Sequence, residues 1–104
     1  MGQRYQVVPV SAPGLRAVRW WTDDLHAKLK EAHVVARIET GRSEWSSGGR
    51  DWASGPGALQ VKQPGDVHRD IARDGPTTCQ IITLPSDVLE REIGPLRLAH
   101  YVAP

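Results

Sequence analysis

The chain of 104 residues has one cysteine, Cys79, which excludes an internal disulfide and any zinc site built from several cysteines. A reducing compartment, the cytoplasm, is the simple expectation. Charge of either sign is not in excess: 13 Lys and Arg stand against 12 Asp and Glu, a formal net charge of +1, and the basic residues are scattered rather than striped. Neither nucleic acid nor an anionic membrane surface is favoured by such a balance. No apolar run approaches the ~20 residues of a membrane helix, and "MGQRYQVVPV" is too polar for a signal peptide. Also missing are a phosphate loop, a zinc-ligand spacing, a Ser-His-Asp order and any internal repeat. Phenylalanine is absent altogether, so the aromatic packing rests on four tryptophans and two tyrosines.

What is present reads as short strands separated by turns. "RYQVVPV" and "LRAVRWW" flank "SAPG", and "HVVARIETG" places Val34, Ala36, Ile38 and Thr40 on one side of a pleat. Gly48-Gly49 between two polar, Trp-containing arms signals a hairpin. "ALQVKQ" sets Leu59 and Val61 on one face, "TTCQIITL" is β-branched, and the tail "LRLAHYVAP" reads as a last strand. "PSDVLEREIG" predicts one short helix that starts near Pro85 or Ser86 and ends at Gly94. Leu25, Leu29 and Ala32 fall at helical spacing in "WTDDLHAKLKEAH", which is nevertheless read as strand or loop. Seven or eight short strands in a chain that supports one core predict a single all-β domain, an antiparallel sandwich or barrel.

Four histidines, His26, His33, His68 and His100, are the candidates for site chemistry. Alone, a histidine in a β-domain is more often a structural residue than a ligand. The segment "GPGALQVKQPGDVHRD" adds a pattern: a glycine opens a strand, a tight Pro-Gly turn closes it, and His68 follows three residues after Gly65. This resembles the second conserved motif of the cupins, in which that histidine points into the barrel. More narrowly, "ARIETGRSEW" followed by "GGRDWASGPGALQVKQPGDVHRD" resembles the N-terminal effector-binding domain of AraC-family transcription regulators, over roughly residues 20 to 84. The resemblance implies a cupin-type jelly roll or double-stranded β-barrel over residues 1–104, with the short helix near its C-terminus. It implies a small-molecule effector, a sugar or a small carboxylate, held in the barrel. In that family helix-turn-helix motifs follow the barrel; "AHYVAP" stands where the family's barrel ends, so contact with DNA is expected only through a domain outside these residues.

A metal-binding cupin supplies His-x-His, then a glutamate, then the histidine of the second motif. Here the pair reads His26-x-Lys28, and the glutamate position, seven before Gly41, is Val34. An ammonium and an isopropyl group have no lone pair for a metal, so the pocket is expected to hold its ligand with no metal and no other cofactor. Its expected polar contacts are His26, Lys28, Thr40 and His68, with Gln80 inward on the returning strand as the resemblance implies. Trp20 or Trp45 offers a ring for stacking, although burial alone explains an indole in a strand. Cys79, next to Gln80, is expected to face the core. No residue is assigned a catalytic role. Two other readings stay open: a small metal-dependent cupin enzyme of dioxygenase or isomerase type using His26, Glu31 or His33, and His68, and a carbohydrate-binding sandwich with a filled interior. A homodimer formed through a barrel edge or the terminal segments is compatible with any of the three.

Overall fold

The computed structural model describes residues 2–11, 14–85, 87, 91 and 101–103. Eight strands form one antiparallel, hydrogen-bonded sheet: β1 (Gln3–Val8), β2 (Arg16–Thr22), β3 (Ala27–Leu29), β4 (His33–Ser47), β5 (Arg50–Ser54), β6 (Leu59–Lys62), β7 (Val67–Leu84) and β8 (Tyr101–Val102). The main path runs β1-β2-β7-β4-β6-β8, with β3 on β7 and β5 on β4. Side chains from six of these strands line a common interior, so the sheet closes round a space instead of lying flat. The all-β expectation holds. The expected helix over 85–94 falls almost wholly outside the described residues. Among the described residues no helix is long and apolar enough to cross a membrane.

Two long strands carry the architecture. β4 pairs with β7 from His33↔Leu84 to Ser46↔Arg69, and each of these strands contributes to both ends of the barrel. Gly48 and Gly49 sit at φ of 63° and 76° and join Ser47 to its partner Arg50 in a two-residue hairpin. Two consecutive left-handed residues give a turn whose twist matches that of the strands, which is what the Gly-Gly pair signalled.

The β4–β7 ladder breaks register between Ile38 and Thr40, between Thr40 and Arg42, and between Glu44 and Trp45. Each odd-residue slip exchanges the inner and outer faces of a strand. On β4, Ala36 and Ile38 are buried, Thr40 is exposed, and burial resumes at Ser43, Trp45 and Ser47. Gly41 makes the break feasible. Its φ is +90°, and a Cβ there would run into the Pro76 carbonyl oxygen on β7. Gly41→Ala should therefore cost about 2 kcal/mol or more through backbone strain and the forced shift of β7. A urea-unfolding midpoint indistinguishable from wild type would show that the bulge is not under that constraint.

The close-packed apolar core is small. Ile38, Ala58 and Cys79 form it, with Trp20 and Ile81 against them. Much of the rest of the interior is polar: Thr22, Thr77, Gln60, Lys62 and His68 are all buried. Buried polar groups are costly unless they find partners.

Candidate functional site

The strands enclose a cavity of about 670 Å³, within the range typical of small-molecule sites. Apolar walls come from β4, with Val34, Ala36 and Ile38, and from β2 and β7, with Val18, Trp20 and Ile81. The alternation read from "HVVARIETG" thus holds as far as Ile38.

Polar groups gather on β3, β6 and β7. β3 lies antiparallel on β7 with Lys28 opposite His68. Two backbone bonds close its far end: Lys30 N–H donates to the Asp66 carbonyl at 2.8 Å, and Gly65 N–H donates to the Lys30 carbonyl at 2.9 Å. The segment "WTDDLHAKLK" is therefore a turn and a short strand. Its helical spacing of leucines is overridden because Leu25 and Leu29 are exposed while His26, Lys28 and Lys30 face the cavity.

Asp70 organises this part of the wall. Its Oδ2 accepts from Arg73 Nη2 at 2.7 Å and from the His26 backbone N–H at 3.0 Å, and its Oδ1 lies 3.1 Å from His68 Nε2. Arg73 also donates from Nε to the Asp24 carbonyl at 2.7 Å and from Nη1 to Thr77 Oγ1 at 2.8 Å. One buried carboxylate and one buried guanidinium thus pin the 23–26 turn to β7. Burial by itself would raise the Asp70 pKa, but the His68 hydrogen bond, the Arg73 charge and the His26 N–H together hold it below the ordinary value.

Burial pushes His68 the other way, below the ordinary imidazole value, assisted by the Lys62 charge and opposed by Asp70. A neutral imidazole that donates Nε2–H to Asp70 keeps a lone pair on Nδ1, and that buried nitrogen has no hydrogen-bond partner among the described residues. Trp45 stacks against the ring, with centroids 5.2 Å apart. His26 Nε2 lies 3.0 Å from Thr22 Oγ1, and its ring meets Trp20 at 5.1 Å.

Of the residues named from the sequence, the structure brings His26, Lys28 and His68 to the cavity. It does not bring Thr40, Gln80 or Trp45. Thr40 is exposed because the register break after Ile38 turns it outward. Gln80 is exposed as well. His68 and Asp70 face inward, then Glu44↔Ala72 and Trp45↔Asp70 leave Ile71 as an extra residue on β7. Beyond that bulge Arg73, Thr77, Cys79, Ile81 and Thr83 line the cavity, so the inward set has changed parity and Gln80 has moved out. Trp45 is fully buried behind His68 and donates from Nε1 to Ser54 Oγ at 3.0 Å. It packs the wall; of the two tryptophans considered for stacking, Trp20 is the one that lines the cavity. Cys79 is buried as expected, but with the parity change it lines the cavity that it was expected to face away from; burial raises its thiol to about 11, so it stays protonated. His100 lies outside the described residues.

Sequence reasoning missed Lys62 and Lys30. On β6 Leu59 and Val61 share one face, and it is the other face, with Gln60 and Lys62, that lines the cavity. Lys62 is only 5 % exposed, and it makes no hydrogen bond or ion pair within the described residues. Burial, with Lys30 adding repulsion, lowers its pKa from 10.5 to about 8. Burial and the Lys28 charge also lower Lys30. The chain has only three lysines, Lys28, Lys30 and Lys62, against ten arginines, and all three lysines line this one cavity.

No family profile and no curated sequence matches the chain. Solved structures do. A candidate mannose-6-phosphate isomerase from Ralstonia eutropha JMP134 is similar at a TM-score of 0.71 and 15% identity, covering 82% of this chain and 86% of that one. The Cnp3 cupin domain of Schizosaccharomyces pombe is similar at a TM-score of 0.70 and 8% identity, covering 88% and 67%. A cupin 2 conserved barrel domain protein from Salinispora arenicola CNS-205 is similar at a TM-score of 0.65 and 16% identity, covering 86% and 81%. The fold is a cupin barrel. Identities this low establish architecture and leave function to the site.

The ligand set of a metal-binding cupin does not fit this barrel. His26 and His68 reach the cavity, but Lys28 and Val34 stand where the resemblance would put the second histidine and the glutamate. His33 does not line the cavity. Among the described residues no group of three His, Cys, Asp or Glu is placed to hold an ion, and the lysine charges beside the two imidazoles would repel one.

Proposed function

We propose that this cupin barrel binds a small organic anion and does so without a metal. The observation that carries the reading is the charge of the cavity in a nearly neutral chain. Three lysines, Arg16 and Arg73 line it against only Glu31 and Asp70, and Asp70 is already engaged by Arg73. Low-dielectric walls strengthen such a field and concentrate anions at the mouth. Apolar walls at Val34, Ile38 and Trp20 would bury the ligand's carbon skeleton while Lys28 and Lys30 meet its charge. A small carboxylate fits this pattern better than a neutral sugar. A phosphorylated sugar, such as the one in the description of the Ralstonia neighbour, belongs to the same charge class.

The resemblance to the effector-binding domain of AraC-family regulators assigns this binding to sensing, with the bound anion altering how an attached or partner DNA-binding region is presented. The test is a thermal-shift series at matched ionic strength with mono- and dicarboxylates, mannose 6-phosphate and neutral mannose. The anions should raise Tm, since a ligand that binds only the folded state stabilises it, and mannose should not. Lys28→Ala, at an exposed position, should weaken the best anion by about 1–3 kcal/mol without altering the unliganded Tm. Stabilisation by mannose alone, or by a divalent transition metal and no anion, would overturn the reading.

A further inference from the structure

The lysine distribution asks more of the site than positive charge. Arginine supplies the charge elsewhere in this chain, ten times over, and stays protonated under all ordinary conditions. Lysine occurs only where it lines the cavity, and lysine differs from arginine in being able to shed its proton and act as a nucleophile. Of the three, Lys62 is the one buried in the wall. It enters from β6, where Val34 of β4 is its paired neighbour. No carboxylate within the described residues forms an ion pair with it, and the nearby cations Lys30 and Arg73 oppose its protonation.

We propose that Lys62 is a covalent capture site, whose amine condenses with the carbonyl group of an anionic aldehyde or 2-oxo acid to form an imine. The proposal rests on the anion-binding reading above and narrows the ligand class. The Nζ lone pair attacks the carbonyl carbon and forms the C–N bond. Both amine protons leave with the carbonyl oxygen as one molecule of water. The resulting imine takes up a proton at nitrogen and so carries its positive charge beside the ligand's own carboxylate. Lys28, on β3, and Lys30, just after it, hold that carboxylate, and the apolar faces of Val34 and Ile81 limit the water that would hydrolyse the product. The lowered proton affinity of Lys62 agrees with this use, because a fraction of the amine is neutral at pH 7 to 8. The charged and titratable groups lining the same cavity are Tyr5 on β1, Arg16 on β2, His26 in the turn before β3, Lys28 on β3, Lys30 and Glu31 just after it, and His68, Asp70, Arg73 and Cys79 on β7.

The experiment treats the whole chain with limiting glyoxylate and cyanoborohydride at pH 7 and maps the carboxymethyl groups that hydride delivery to the imine leaves on nitrogen. The N-terminal amine is the reference for an ordinary amine, and Lys28 is the reference for an exposed amine that shares the cavity. Lys62 should be modified about tenfold faster than either, because cavity binding raises the local glyoxylate concentration at a partly deprotonated amine. Modification of the references with Lys62 left intact overturns the proposal. Glycolate, an anion of the same size without the carbonyl, separates the two readings. If it or any anion of the series above stabilises the fold while Lys62 stays unmodified, the pocket reading stands and the imine falls. If no anion stabilises and Lys62 is unmodified, both fall. Lys62→Met should remove the fast-reacting site and leave the labelling of the N-terminal amine unchanged.

Discussion

Asp70→Asn should destabilise the fold by about 3–5 kcal/mol, a large share of the ~5–15 kcal/mol that holds a domain of this size together. The side chains of Asp70 and Arg73 are 5% and 8% exposed, so the asparagine would leave a buried guanidinium without a counter-charge. An amide oxygen in the place of Oδ2 can still accept from Arg73 and the His26 N–H, but without the charge that strengthens the Arg73 bond. An amide nitrogen in the place of Oδ1 cannot accept from His68, in a place water reaches poorly. The 23–26 turn would loosen as well, since Arg73 also holds the Asp24 carbonyl.

The pH dependence follows from the sign of the Asp70 shift. Its folded pKa lies below its ordinary value of 3.8, so its contribution is fully present above that value. It is lost as pH falls through the lower folded value, where the carboxylate must take up a proton in the folded state. Wild type should lose stability steeply on that limb, and the variant should lose less there because its penalty is already present. Replacing both partners by apolar residues, Asp70→Leu with Arg73→Met, should recover part of the loss, because the cost lies mainly in stranding one charge. Equal urea midpoints for wild type and Asp70→Asn would show that the pair does not hold the turn.

The parts of this barrel that were legible in the sequence are those governed by local chemistry. Gly48-Gly49 specified its hairpin, and the turn around Pro64-Gly65 delivered His68 to the wall, because both depend on backbone conformations that few residues adopt. Val34, Ala36 and Ile38 followed from simple alternation over five residues. Alternation then failed at Thr40 and at Gln80, and for one reason. Each lies past a bulge, and a single extra residue reverses the facing of everything beyond it. Gly41 carried a hint of the first bulge; Ile71, the extra residue of the second, carries none.

Lys62 was hidden for a different reason. In "ALQVKQ" the apolar residues alternate with polar ones, and the ordinary rule sends Leu59 and Val61 inward. In this barrel much of the interior is a cavity with polar lining, and Gln60 and Lys62 occupy its wall. The signal that could have found them was compositional: three lysines against ten arginines, all three at alternate or motif-strand positions around the His26 and His68 segments. His26 and His68 drew attention as ligands, yet the unusual electrostatics of the site belong to the lysines.

Lys62→Met should raise the stability of the unliganded protein and abolish its binding of anions. A fall in pKa from 10.5 to about 8 means that the fold disfavours the ammonium by about 3 kcal/mol. Methionine has similar length and no charge to desolvate, and it packs irregular gaps well. Removing the penalty should raise Tm at pH 7 by about 10 °C or more in a chain of this size. The pH dependence distinguishes this from a general gain in packing. Because the folded pKa is lower than the unfolded one, the ammonium penalty is fully present below about pH 8 and is relieved as pH rises toward 10.5, where only the unfolded state still binds the proton. Over that window wild type should gain on the variant until the difference nearly closes. The raised pKa of Cys79, about 11, costs both chains stability at high pH, and more so in the variant, which lacks the Lys62 charge that lowers it. A gain in Tm accompanied by loss of anion binding would identify Lys62 as a residue retained against stability for the sake of its ligand. A variant that is less stable than wild type at pH 7 would mean instead that the ammonium is satisfied in the unliganded barrel, and the charge of the cavity would then be structural.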